Sequence, residues 1–260
     1  MKEKVLITGA SSGIGKAFAE HYAQEGRDLL LVARSKERLT KVSKDLHHKF
    51  NVKVEIISSD LSVLESGSKI YEYVCEQGIF IDIIINCAGF GLNGTVNEID
   101  YNNQHDEVML NVVSVFDLTK KFLKPMIARN KGTIINVASS SAYHPIPTMA
   151  VYAASKAFVL SFTEALAVEC QNSGVKVIAI SPGATDTNFF STGGGVAVGN
   201  LRTPSHVVDV TMKALSKNKI SQIDGINNYF TSAILPRILP RKAMVNMVYR
   251  IMKKQANLKG

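Results

Sequence analysis

Val5-Leu6-Ile7 runs into Thr8-Gly9-Ala10-Ser11-Ser12-Gly13-Ile14-Gly15, and helical periodicity then holds from Ile14 to Glu25, where Gly26 ends it. An aliphatic strand, a glycine loop and a helix start, in that order, suit one task. A phosphate group has to come close to backbone N–H groups at a helix N-terminus, and a Cβ in the loop would obstruct it. The spacing is G-x-x-x-G-x-G rather than the more familiar G-x-G-x-x-G. Taken alone it describes a tight strand–helix turn; at the head of an alternating chain it points to nucleotide binding.

The chain does alternate. Strands are expected at Leu29–Val32, Val52–Ile57, Ile81–Ile85, Thr133–Val137 and Val175–Ile180. Helices are expected at Ser35–His48, Leu64–Glu76, Asp106–Arg129 and Val151–Asn172, the first of these capped by Ser35. The strands read as nearly continuous apolar runs, as strands covered on both faces do. The expected fold is therefore a single α/β domain spanning residues 1–260, a Rossmann-type doubly wound parallel sheet with helices on both faces. Ligands belong at the carboxyl ends of its strands. Ser191–Asn200, with three adjacent glycines, is either a surface connection or a lid over the substrate.

Composition agrees with a soluble globular chain: 260 residues, 46% hydrophobic and 20% charged. Three cysteines, Cys75, Cys87 and Cys170, have neither metal-site nor redox-motif spacing, which favours a reducing, cytoplasmic setting and no metal. The N-terminus enters a strand directly, so no secretory leader is expected. No uninterrupted apolar run approaches the roughly 20 residues of a spanning helix. The net charge of +8 allows anionic ligands. With no zinc-finger spacing and no aromatic-plus-basic signature, nucleic acid is not an expected partner.

The second strand ends at Val32-Ala33-Arg34. A dinucleotide with a free ribose 2′-OH usually meets an acid near this point. Arg34 suits a 2′-phosphate instead, which selects NADP(H) with NAD(H) as the alternative; its other reading is a solvated arginine at a helix start. Asp60, next to Leu61 just past the third strand, could reach the adenine or could cap the following turn.

Further along stand Asn86-Cys87-Ala88-Gly89, then Asn111, Ser139, Tyr152 and Lys156, then Pro182-Gly183 with Thr187 beyond. Together with Thr8–Gly15 this order resembles the short-chain dehydrogenase/reductase family, in its NADP-preferring carbonyl-reductase-like members. Thr8–Gly15 is similar to that family's TGxxxGxG motif, residues 86–89 to its NNAG motif, and Pro182-Gly183 to the PG motif after its sixth strand. Cys87 departs from the second asparagine of NNAG. The resemblance implies cofactor contacts from Gly9, Ser11, Ser12, Gly13, Ile14, Gly15, Arg34, Asp60, Leu61, Asn86, Ala88, Gly89, Tyr152, Lys156, Pro182, Gly183 and Thr187. It implies a catalytic set of Asn111, Ser139, Tyr152 and Lys156. Tyr152 would protonate a carbonyl oxygen as hydride reaches the carbon, Ser139 would hold that oxygen, and Lys156 would bind the nicotinamide ribose. Asn111 would prop open its helix and help a water relay protons to the lysine.

The residue chemistry supports those roles. Residues four apart share a helix face, so Tyr152 and Lys156 can meet. A free phenol titrates near 10, and a neighbouring ammonium together with the positive oxidised nicotinamide is expected to lower it. Asn111, in an apolar helical stretch, also has a purely structural reading as a buried hydrogen-bonding group. Ser140 and Ser141 compete with Ser139 by proximity. A second Tyr-x-x-x-Lys, Tyr249 to Lys253, has Pro236 at the offset where Ser139 precedes Tyr152, and is expected to be inert.

Residues 232–254 mix apolar and basic side chains in a basic amphipathic segment, suited to packing over the substrate cleft, to a subunit interface or to a membrane surface. The first two are the default. The expected protein is a homodimer or homotetramer acting on a carbonyl or alcohol, with an apolar pocket formed around His144–Met149 and Phe189–Asn200. An NAD-dependent alcohol or hydroxysteroid dehydrogenase, and a non-catalytic nucleotide-binding scaffold, are the alternatives.

Overall fold

Seven parallel strands form one sheet in the order β3-β2-β1-β4-β5-β6-β7. The computed structural model describes residues 3–187, 189 and 201–257. Ser191–Asn200, the expected lid or surface loop, lies outside them, as does Phe190. The strands are β1 (Glu3–Thr8), β2 (Asp28–Ala33), β3 (Val54–Ser58), β4 (Phe80–Asn86), β5 (Gly132–Val137), β6 (Val175–Ser181) and β7 (Ser221–Ile223). The principal helices are α1 (Gly13–Gln24), α2 (Lys36–Phe50), α3 (Ser66–Glu76), α4 (Tyr101–Val108), α5 (Ser114–Ala128), α6 (Ala150–Glu169) and α7 (Pro204–Ser216). The doubly wound expectation holds.

Side chains of successive strand residues point to opposite faces, and the core divides accordingly. Val5, Ile7, Leu29, Leu31, Ile178 and Ile180 face α1, α2 and α7, where Phe18, Leu39 and Val207 meet them. Leu6, Leu30, Val32, Ile84 and Val177 face α3, α5 and α6, where Ile70, Phe122 and Leu166 do. Both faces are buried, which is why these strands lack polar alternation. Ser35 caps α2 as expected, its hydroxyl accepting the Arg38 N–H at 3.2 Å.

The long helix expected at Asp106–Arg129 starts earlier and is interrupted. It runs as α4, a π-helical turn at Met109–Val113, then α5. Such a turn inserts a residue's worth of slack into the helix and often marks a functional position. β7 and α7 were not anticipated, because their short or mixed patterns are weak beside the strong runs before them.

The C-terminal basic segment is not one helix. A π-helical turn at Phe230–Ile234 leads into Leu235–Ile238, the chain extends at Leu239, and a new helix spans Arg241–Asn257. Met244 and Val248 are buried, while Ile238 and Ile251 are exposed. These two residues place part of the segment against the rest of the chain. Among the described helices only α6 is long and apolar enough to suit a membrane span, and it lies instead against β5 and β6 with Val159 and Leu166 in the core.

Candidate active site

The strand order reverses between β1 and β4, and the crevice forms where their carboxyl ends part. Thr8 ties the two loops together: its hydroxyl accepts the backbone N–H groups of Cys87 (2.9 Å) and Ala88 (3.0 Å). Gly9 follows with φ +67°, and a Cβ there would come within 2.9 Å of the Ala88 Cα. At Gly15 a Cβ would run into the carbonyl oxygen of Gly9. The loop is thus closed down on the N-terminus of α1 by the absence of two side chains. The first turn of α1 carries no acidic residue, and the Ser12 side chain does not cap it. A helix N-terminus of this kind is a partial positive charge ready for an anion. Thr187, from the segment after β6, reaches back to the same loop; its methyl would lie 2.9 Å from a Cβ on Gly13. The cradle therefore fits a pyrophosphate on its own geometry.

Arg34 stands immediately after β2, exposed, with no ion pair or hydrogen bond from its guanidinium among the described residues. Asp60 is engaged locally: Oδ1 accepts from the Ser62 N–H (3.0 Å) and hydroxyl (2.8 Å). Of the two roles open to it, the turn is the one these bonds serve. Leu61 is buried in the core beneath. Asn86 sits at the end of β4 with its amide committed inward, Nδ2 donating to Thr119 Oγ1 (3.0 Å) and Asn136 Oδ1 (2.8 Å). These bonds anchor the end of β4 to α5 and β5. Pro182 accepts the Ser140 N–H through its carbonyl at 2.9 Å, which joins the PG segment to the serine loop, and Gly183 packs against Asn228.

Asn111 lies inside the π-helical turn and is fully buried. Its Oδ1 accepts the Phe90 N–H at 3.2 Å, and its Nδ2 donates to the Phe90 carbonyl (2.8 Å) and the Ser155 hydroxyl (3.1 Å). One side chain thereby fixes the loop after β4 to α6. Lys156 Nζ donates to the Val137 carbonyl at 2.8 Å and stands 5.9 Å from the centre of the Tyr152 ring. The Tyr152 ring packs on Phe189, centroids 5.2 Å apart. Gly91 makes room for that pair, since a Cβ there would press on both rings. The hydroxyls of Ser139 and Ser141 lie close enough to Tyr152 to favour its phenolate.

The structure brings Asn111, Ser139, Tyr152 and Lys156 into one buried site. Burial pushes the Tyr152 phenol up to about 12, with the two serine hydroxyls opposing and the charge of Glu107 adding to the rise. Burial likewise pulls Lys156 down to about 8, against the influence of Cys87 and Glu107. Taking both groups out of water disfavours phenolate and ammonium alike. Burial also pushes the Cys87 thiol up to about 12. Tyr249, by contrast, is 45% exposed on the Arg241–Asn257 helix, and the second Tyr-x-x-x-Lys takes no part in the site.

Ser141, one of the two serines that compete with Ser139, stands beside it and bonds to it; two further participants escaped the sequence reading. Gly91 carries no motif. Glu107 lies one helical turn before Asn111, a spacing that puts both on one face and was the available signal.

Residues 3–193 match the short chain dehydrogenase family. Over 190 residues the chain is 36% identical to an uncharacterized oxidoreductase of Staphylococcus epidermidis, covering 72% of this chain and 80% of that one. Over 268 residues it is 30% identical to the very-long-chain 3-oxoacyl-CoA reductase-B of Danio rerio, covering 96% and 83%. Among solved structures, a short-chain dehydrogenase from Sphingobium yanoikuyae in complex with NADPH superposes with a TM-score of 0.82 at 29% identity over 90% of each chain. The chain belongs to the short-chain dehydrogenase family and is an oxidoreductase.

Proposed function

We propose that this enzyme reduces an apolar ketone or aldehyde with NADPH, reversibly, using Tyr152 as general acid. The observation that carries the reading is the convergence of a buried phenol, two serine hydroxyls and a buried lysine at the open end of an anion cradle. Bound nicotinamide supplies the hydride. Ser139 holds the carbonyl oxygen and stabilises charge as it develops there. Tyr152, protonated at neutral pH, gives its Oη proton to that oxygen. Lys156 then serves as the proton source for the phenolate, and Asn111 keeps the loop and α6 in register. Arg34 is the residue toward a 2′-phosphate, and the NADPH complex of the Sphingobium relative supports that choice.

The apolar substrate is supported by the Phe189 ring packed on Tyr152; a cavity of about 600 Å³ bounded by Ile146, Pro147, Ala153, Ala157, Leu239 and Met244 lies on the neighbouring face of α6, with neither Ser139, Tyr152 nor Lys156 in its lining. It begins beside the serine loop and is roofed by the C-terminal segment. His144 and Arg241 are its main polar members, and burial lowers the pKa of His144, favouring the uncharged ring. The similarity to a 3-oxoacyl-CoA reductase fits a greasy substrate. The test is NADPH oxidation by purified protein across a 3-oxoacyl thioester, a keto-steroid and a small aromatic ketone. Absence of turnover on all three, with NADPH bound, would favour the scaffold alternative.

Our reading includes a homo-oligomer. Phe116 and Phe158 are 43% and 40% exposed on α5 and α6, and both rings pack on Phe162. A second copy of the chain would cover this aromatic face. Light scattering on the purified protein checks it, with a monomer as the contrary result. The free cysteines Cys75, Cys87 and Cys170 support a reducing, cytoplasmic setting, checked by fractionation.

A further inference from the structure

Asp224 follows β7 and is fully buried, and its Oδ2 has no hydrogen-bond partner among the described residues. Two side chains meet its Oδ1. Arg202, just before α7, brings Nη1 to 3.5 Å, and His206, in the first turn of α7, brings Nε2 to 3.0 Å. The Arg202 Nη1 also lies 2.7 Å from that ring nitrogen. A buried carboxylate weakens a fold without a cation beside it, and the guanidinium is the group here that always carries charge. Gly225 lets the arginine come down onto the carboxylate: its φ is +87°, and a Cβ there would collide with the guanidinium. Asp224 is itself fixed from the sheet side. Its N–H donates to the Ser181 carbonyl (3.0 Å), and its carbonyl accepts from Asn228 Nδ2 (2.6 Å). The backbone of Arg202 in turn holds the segment after β6. Its carbonyl accepts the Asp186 N–H (2.8 Å), and its N–H donates to the Ala184 carbonyl (3.0 Å), a bridge centred on Thr185. The residue after Asp186 is Thr187, whose methyl would crowd a Cβ on Gly13 in the cradle. A continuous line of contacts thus runs from a buried carboxylate beside the edge strand to the glycine loop.

We propose that Arg202 and Asp224 are a positioning pair for cofactor binding: their ion pair pins residues 184–186 and so sets Thr187 against the cradle. This rests on the cradle as the cofactor site. Both residues act through Thr187 rather than on the cofactor itself. The backbone has left the sheet by Pro182, and its freedom has to be removed before Thr187 can meet a ligand at a fixed place. An exposed ion pair would do this poorly, because solvent screens it. Here one member lies wholly out of water, so separating the two would leave a buried charge unpaired. The fold also holds a matched pair in a different place. Arg27 and Asp82 likewise join a part-exposed guanidinium to a buried carboxylate with one unpartnered oxygen. They sit near the amino ends of β2 and β4, the end of the sheet away from the cradle.

The test measures NADPH affinity by calorimetry on purified protein, at a temperature where every variant is folded. Asp224→Asn keeps the shape and removes the charge. It should raise the NADPH dissociation constant about tenfold, less than the roughly hundredfold cost of a misplacement of about 1 Å. Arg202→Gln should do the same, and the double variant should be no weaker than either single, because the two side chains act as one unit. Arg202→Lys keeps the charge and should recover part of the affinity. In steady-state assays KM for NADPH should rise with kcat little changed, the pattern of lost binding. Asp82→Asn is the control. It should lower melting temperature as Asp224→Asn does, yet leave the NADPH dissociation constant within about twofold of the parent, since distant sites with no shared partner act independently. Parental affinity in Asp224→Asn would overturn the proposal. So would equal weakening in Asp82→Asn, a lysine variant no better than Arg202→Gln, or a double variant whose loss is the product of the two single losses. Should Asp224→Asn not fold alone, the double variant, which removes both charges together, carries the same comparison. Thr187→Ala, run alongside, tests the underlying reading separately. Unchanged NADPH affinity there removes Thr187 from the cofactor site whatever Arg202 does, and a loss there without one in Asp224→Asn leaves the cradle standing and removes the pair.

Discussion

The Ser141 hydroxyl donates to the Ser139 hydroxyl at 2.6 Å, and both lie close enough to Tyr152 to favour its phenolate. Ser139 Oγ also accepts the Ser141 N–H at 3.2 Å, closing a tight turn at the end of β5. The Tyr152 phenol is thus flanked by a pair of hydroxyls, with Ser139 oriented by its neighbour. Ser139→Ala should cost the most turnover of the three serines. Ser141→Ala should cost roughly fivefold, the equivalent of one hydrogen bond of about 1 kcal/mol. Ser140, whose backbone N–H goes to Pro182, should tolerate alanine with turnover near the parent. Ranking kcat for the three variants on one ketone checks the assignment, and a dominant Ser140 effect would sink it.

Tyr152 and Tyr249 provide an internal comparison. Tyr152→Phe should lower turnover at least about a hundredfold, the lower bound for a lost general acid, while cofactor binding persists. Tyr249→Phe should leave turnover within about twofold, since an exposed surface change of this kind removes no buried partner. Steady-state kinetics with cofactor binding by fluorescence distinguishes the two.

Arg34 should set cofactor preference. A charge-assisted hydrogen bond to a 2′-phosphate is worth about 1.5–3 kcal/mol, or roughly 10- to 150-fold in favour of NADPH. Ser12 offers no second cation beside the cradle, so the lower end is expected. Arg34→Ala should erase most of the preference in kcat/KM. A parent that prefers NADH, or an alanine variant with the preference intact, would take Arg34 out of the site.

Lys156 predicts an alkaline signature in stability. Its folded pKa is near 8, below the unfolded 10.5, because burial disfavours the ammonium. Between those values the unfolded chain holds the proton and the folded one has released it. Stability attributable to Lys156 is therefore present above 10.5 and is lost as pH falls through 8. Relative to Lys156→Met, the parent should gain melting temperature as pH rises from 8 to 10. A flat difference would mean that the buried amine does not titrate there.

Much of the architecture was legible in the residues. Continuous apolar strands, amphipathic helices, the Ser35 cap and the glycine loop are local patterns, and local patterns specify local structure. The spacing of Tyr152 and Lys156 on one helical face needed only the helical repeat. The choice of Tyr152 over Tyr249 needed one more fact, a serine at the correct offset, and the exposure of Tyr249 agrees with it.

The sequence by itself determined the alternation, the loop and the candidates for the catalytic set, because each depends on patterns along the chain. Only the tertiary structure decided what those groups experience. The upward shift of Tyr152, the downward shift of Lys156, the pairing of Ser141 with Ser139 and the burial of Glu107 arise from elements far apart in sequence. So does the docking of the C-terminal segment beside α6. Proton affinity depends on how much water the fold removes and which charges it brings near, and neither is a property of a residue's position along the chain.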